Sequence, residues 1–308
     1  MKQLVYQNLD LEIGPAGPDG YPVAILNSPG GQARGRLALP EDLARFDQAL
    51  AALQQALLET PGAPAKQLAQ EVGAALFQAI FHDELLSLYD VSVSLAREAE
   101  QGLRLKLRIN APELTAIPWE FLFDPRRQAF VGRSRQTPLI RYLEVGTPDR
   151  PLEVEPPLRV LGVAASPADL DPLDLTGEKA RVEAAVAPLR DEEELELAWL
   201  EPPTWRTLQT AMQQGPWHVL HFVGHAEFDP ASGEGSIILA GDDGQALRLS
   251  ATQLADLLAD QRTLRLVVLN ACEGARGDEA DVFSSMAATL VQRGLPAVVA
   301  MQYPISDA

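Results

Sequence analysis

Cysteine is the scarcest chemically informative residue of this chain: one, Cys272, among 308 residues, with only four histidines beside it. A single thiol excludes an intramolecular disulfide and makes a reducing cytoplasm the expected location. Long hydrophobic runs are missing as well. No stretch approaches the roughly 18 apolar residues that cross a bilayer, and Met1-Lys-Gln-Leu-Val5 has no secretory core. Basic residues are outnumbered, 25 Lys and Arg against 43 Asp and Glu, for a formal net charge of −18. That balance disfavours non-specific contact with nucleic acid or anionic membranes, so neither is an expected partner. Two motifs are absent too. The pair Gly30-Gly31 lacks the Gly-Lys-Ser/Thr of a phosphate loop, and no Gly-x-Ser-x-Gly elbow supports a serine triad.

What is present is the 46% hydrophobic content of a globular protein, at a length suited to one large domain or two smaller ones. Residues 9–13, 21–26 and 35–39 read as short strands separated by glycine- and proline-rich turns. Pro40 opens a helix to about residue 59, with Leu43, Phe46, Leu50, Leu53 and Leu57 at helical spacing. A second helix is expected from 65 to about 88, with Leu68, Val72, Leu76, Phe77 and Ile80 inward and His82 as a surface or capping residue near its end. Residues 91–95 and 103–109 alternate like strands, and Arg104, Lys106 and Arg108 predict one solvated face. Trp119 anchors a short apolar element at 117–124, and a proline- and acid-rich linker covers 146–157.

Beyond that linker strands and helices alternate. Strands are expected at 158–163, 195–200, 218–223, 266–269 and 297–301, helices at 177–190, 204–214, 250–260 and 281–292, and half a hairpin at 236–240. Thr204 and Ser250 stand as helix N-caps. Such alternation argues for a mostly parallel sheet with helices on both faces.

Two of these strands end in polar loops of similar kind. One runs into Gly224-His225-Ala226, the other into Cys272-Glu273-Gly274. As parallel neighbours they would deliver His225 and Cys272 to one sheet edge, where open α/β sheets place their chemistry. A nucleophilic thiol needs a base or cation nearby to bring its pKa down from about 8.5, and an imidazole serves that role and later protonates a leaving amine. No third side chain stands out; a backbone carbonyl is the expected orienting group. The backbone N–H groups of Ala226 and Cys272 are candidate oxyanion donors. A zinc site of His218, His221, His225 and Cys272 is disfavoured, because residues three apart on a strand face opposite ways. His218 and His221 are expected to be sheet residues with satisfied ring nitrogens, one of them supporting the site from behind.

His221-Phe-Val-Gly-His-Ala226 with Leu269-Asn-Ala-Cys-Glu-Gly-Ala-Arg276 resembles the paired signature of the CHAT family, caspase-like cysteine peptidases of the clan of caspases, separases and gingipains. Residues 116–122 resemble the family's lead-in, and residues 295–307 resemble the strand after its catalytic helix. The resemblance implies a caspase-like three-layer α/β sandwich with a mostly parallel central sheet at 85–308, preceded by a small accessory α/β region at 1–84. It implies His225 as general base and Cys272 as nucleophile in an endopeptidase that cleaves a protein substrate without cofactor or metal. It also implies release by a sensor or regulatory partner, as in bacterial antiphage defence and cell death.

Two positions depart from the family pattern. Ala226 stands where glycine is usual, and the pattern continues past Asp307 with a further helix and strands. The peptidase domain is therefore expected to be truncated or processed, completed by another chain or domain, or an inactive scaffold. Acids at Glu227, Asp229, Glu273, Asp278 and Glu279 make a basic P1 side chain the expected substrate feature, although acids near any loop are common in so acidic a chain. The rival reading is a catalytically inactive caspase-like interaction module. A flavodoxin-like nucleotide domain is a third, unsupported by any phosphate loop.

Overall fold

The computed structural model describes residues 4–38, 43–59, 63–143, 154–271 and 279–301. They divide into two compact units, Met1–Leu143 and Glu144–Ala308. The first holds strands β1 (Tyr6–Ile13), β2 (Pro22–Asn27), β3 (Ala33–Arg36) and β4 (Gly102–Ile109), a small hairpin of β5 (Phe123–Asp124) and β6 (Ala129–Phe130), and β7 (Leu139–Arg141). The main sheet runs β3-β2-β1-β4-β7, antiparallel through β1 and parallel beyond it. Period-two patterning sends Leu9, Leu11 and Ile13 of β1 and Leu103, Leu105 and Leu107 of β4 into the core, each exposed by 1% or less. The opposite face carries a register-matched polar ladder: Asn8 with Arg104, Asp10 with Lys106 and Glu12 with Arg108. Core side chains contribute about 1.5–3 kcal/mol each and partly exposed ion pairs at most about 1 kcal/mol, so the leucines set this register and the ladder follows it.

Three helices cover the inner face, α1 (Leu43–Glu59), α2 (Ala63–Ile80) and α3 (Asp83–Glu98). Phe46 and Leu53 of α1 and Val72, Leu76, Phe77 and Ile80 of α2 are buried as their spacing predicts, while Leu50 and Leu68 pack partly buried against them. Residues 40–42 and the side chains of Leu43 and Leu57 lie outside the described residues. Two expectations are corrected here. The helix expected to run from 65 to 88 breaks after Ile80 and restarts at Asp83, whose φ is +46°. The expected strand at 91–95 is the body of α3, because Leu85, Tyr89, Ser92 and Ala96 recur at helical spacing and bury one face. Since β4 lies between β1 and β7, residues 85–143 belong to the first unit. The compact units divide at 143/144.

The second unit is built on a five-stranded parallel sheet. It contains β8 (Leu158–Ala164), α4 (Leu175–Asp191), β9 (Leu195–Trp199), α5 (Trp205–Gln213), β10 (Val219–Gly224), β11 (Ala226–Asp229), β12 (Glu234–Ala240), β13 (Ala246–Ser250), α6 (Ala251–Ala259), β14 (Leu266–Ala271), α7 (Glu279–Gln292) and β15 (Ala297–Ala300). The spatial order is β15-β14-β10-β8-β9, every pair parallel. One face, with Leu161, Val163, Leu220, Phe222, Val267 and Leu269, packs against α5, α6 and α7 through Leu208, Met212, Leu254, Leu258, Met286 and Leu290. α4 lies toward the other face, where Trp199 donates its ring N–H to Glu183 at 3.0 Å. Thr204 and Ser250 cap α5 and α6 with reciprocal side-chain bonds. The hairpin half expected at 236–240 is the centre of a three-stranded antiparallel sheet, β11-β12-β13. Among the described residues no helix is long and apolar enough to cross a membrane. The expected linker at 146–157 lies mostly outside the described residues.

Candidate active site

The chain starts the parallel sheet at β8, adds β9 on one side, then returns to add β10, β14 and β15 on the other. The reversal falls between β8 and β10, whose carboxyl ends are the place where open α/β sheets bind ligands. His225 sits at that point, one residue past β10 and 3% exposed. Its Nε2 lies 2.9 Å from the carbonyl oxygen of Asp171, in the loop that follows β8. A carbonyl oxygen only accepts, so Nε2 donates and Nδ1 of the neutral ring is left as the basic nitrogen.

The backbone at His225 is also fixed. Its carbonyl accepts the Ile238 N–H at 3.0 Å, and Ala226 then pairs with Ile237. With 225 and 238 hydrogen-bonded, the 226/237 pair is a non-hydrogen-bonded one, which turns the Ala226 N–H away from β12. Ala226 itself is 1% exposed.

β14 lies beside β10 in register from Val219 with Leu266 to Gly224 with Ala271. His225 and Cys272 are each the next residue after that last pair, although Cys272 lies outside the described residues. Two residues before it, Asn270 donates its side-chain amide to the Glu178 carboxylate of α4 at 3.3 Å. Glu178, 13% exposed, also pairs with Arg181. His221, in the middle of β10 and on the same sheet face as Asn270 by strand parity, has its Nε2 buried without a hydrogen-bond partner. Burial pushes its pKa below the ordinary value, opposed by the Glu178 carboxylate. The expectation of satisfied nitrogens is met at His218 Nδ1, which accepts the Arg159 N–H at 2.8 Å, and fails at His221 Nε2.

Residues 46–308 match the CHAT domain. The chain belongs to the CHAT family of caspase-like cysteine peptidases. A comparison with curated proteins finds no match. The CHAT match begins within α1 and spans most of the first unit as well as the second.

Of the other residues singled out in this CHAT chain, Glu227 is bonded through both carboxylate oxygens to Arg248, at 2.6 and 3.2 Å. Asp229 is held in its own turn by Ser232 Oγ at 2.7 Å and the Ala231 N–H at 3.0 Å. The Ser232 hydroxyl is the main cause of its lowered pKa. Glu273 and Asp278, like Cys272, lie outside the described residues, as does the Glu279 side chain. His218 and His225 flank β10 and His221 lies within it; among the described residues no three His, Cys, Asp or Glu side chains converge as metal ligands. Asp171, Glu178 and Asn270 escaped sequence reasoning. Asp171 acts through its carbonyl, which every residue owns, and the other two meet only because α4 folds over β14.

Proposed function

We propose that this CHAT protein is a cysteine endopeptidase whose dyad is His225 and Cys272, carried on a caspase-like three-layer sandwich. In this reading the enzyme works in the cytoplasm under a sensor or partner, in a defence or cell-death pathway. The observation that carries it is the register of β10 with β14, whose last pair, Gly224 with Ala271, leaves His225 and Cys272 as successors on adjacent strands. His225 Nδ1 takes the thiol proton as Sγ attacks the scissile carbonyl carbon. The Ala226 and Cys272 N–H groups receive the oxyanion. Collapse breaks the C–N bond, the imidazolium protonates the departing amine, and a thioester remains. Water, deprotonated by the same imidazole, attacks the thioester and restores the thiol. Every step is a proton or acyl transfer among these groups and water, so the chemistry calls for no cofactor.

The test is cleavage of a peptide library by wild-type protein, Cys272→Ala and His225→Ala. Each variant is expected to lose at least about a thousandfold in kcat/KM with an unchanged circular dichroism spectrum. Retained cleavage by Cys272→Ala would sink the assignment. The same library reads P1: Lys or Arg is expected, and a preference for Asp or a large apolar residue would end the basic-P1 reading.

A further inference from the structure

One segment touches both strands that end at the dyad. It leaves β8 at Ala165, whose N–H still bonds Val223 O at 2.9 Å. It closes on itself where Ser166 Oγ accepts the Leu173 N–H at 3.2 Å. It is fastened to the β12–β13 turn twice, by Ala168 N–H to Gly244 O at 3.0 Å and by Asp169 Oδ1 from Ala246 N–H at 2.8 Å. Asp171 then offers its carbonyl to His225. Asp174 caps α4 by accepting the Gly177 N–H at 2.9 Å, and one residue later Glu178 holds Asn270. The segment 166–178 is thus a yoke: its loop holds the end of β10 and its first helical turn holds the end of β14.

We propose that Glu178 is a positioning residue for the dyad, acting through Asn270 to hold the end of β14 in line with the His225 that Asp171 orients. The proposal rests on the cysteine-peptidase reading. Glu178 need not touch substrate; its carboxylate fixes a strand end two residues from the nucleophile. The sign of its effect separates positioning from simple electrostatics. A carboxylate disfavours a nearby thiolate, so deleting one through charge alone lowers the thiol pKa. Deleting a positioning group pulls thiol and imidazole apart and raises it.

Because the chain has one cysteine, alkylation by iodoacetamide reports on Cys272 alone. The pH–rate profile of the 308-residue chain is expected to show a midpoint below the free-thiol value of about 8.5. In Glu178→Ala the midpoint rises toward that value, and the rate at neutral pH falls by about tenfold or more. Glu178→Gln keeps an acceptor for Asn270 and leaves the midpoint at or below that of wild type. Asn270→Ala reproduces Glu178→Ala, the double variant adds nothing further, and Asn270→Ala carries the test should Glu178→Ala not fold. An unchanged midpoint in Glu178→Ala, while His225→Ala raises it, overturns the positioning role and leaves the dyad standing. A Gln variant as impaired as the Ala variant overturns the hydrogen-bonded route. An ordinary midpoint that His225→Ala does not move overturns the dyad itself.

Discussion

Where α2 gives way to α3, His82 places Nδ1 2.9 Å from the Asp83 carboxylate and Nε2 2.9 Å from the Arg36 carbonyl oxygen. Both partners only accept, so an imidazolium, with a proton on each ring nitrogen, is the form that satisfies both contacts. Asp83 first, and Arg36 second, raise its pKa above the ordinary value of 6.5, against a smaller opposing effect of burial. A raised folded-state pKa adds stability that is complete below the unfolded value of about 6.5 and is lost as pH rises through the folded one. Wild type should therefore exceed His82→Gln in stability at pH 5.5, and the gap should narrow steadily toward pH 8.5, read from denaturant midpoints at each pH. A gap that widens with pH would refute the imidazolium assignment. From sequence His82 was readable as a surface or capping residue. It does stand at the N-cap of α3, but its side chain makes no cap bond. Its carbonyl partner on β3 is 46 residues away and invisible in a local pattern.

At the scale of elements, Gly73 shows how packing reverses a propensity. In the middle of an exposed helix, alanine in place of glycine adds about 1 kcal/mol. On α2 a Cβ at position 73 would stand 2.0 Å from the backbone oxygen of Phe121, in the turn that buries Trp119 and is clamped by Arg141 to Glu120 and the Ile117 carbonyl. Gly73→Ala is accordingly expected to destabilise the protein by about 1–3 kcal/mol, seen as a lower urea midpoint at constant m-value. A gain in stability would mean the turn can yield. The same tension between local and distant signals explains which elements were legible. The capped helices α5 and α6 and the aliphatic strands β10 and β14 announce themselves within a short window. Val91-Ser-Val-Ser-Leu95 does not, since its alternation also fits a helix whose buried stripe starts at Leu85. Residues 102–109 do form a strand, β4, and its basic face is matched residue for residue by Asn8, Asp10 and Glu12, with the Lys106 ammonium 3.7 Å from the Tyr142 ring centroid.

For the whole molecule, the alternation of strands and helices made the α/β class and the parallel sheet readable, and with them the histidine's place at the sheet's carboxyl edge. That a main-chain oxygen orients the histidine was readable, but not that Asp171 supplies it, and the Glu178–Asn270 contact was hidden because it runs through a helix whose residues are none of them buried. The insertion of β11, β12 and β13 directly after His225 carries a consequence for the order of assembly. Those strands join neighbours in sequence and close as hairpins, on the order of microseconds, whereas β14 must be carried back to β10 across the whole insertion and α6. Short-range contacts form before long-range ones. Pulse-labelled hydrogen exchange during refolding should thus protect the amides of Ile237 to Leu239 before those of Val267 to Leu269, and the reverse order would contradict this sequence of events. With Ile238 already bonded to the His225 carbonyl, the proposed base would wait in place for its nucleophile, and under the peptidase reading a chain emerging from the ribosome stays inert until its fourth parallel strand has docked.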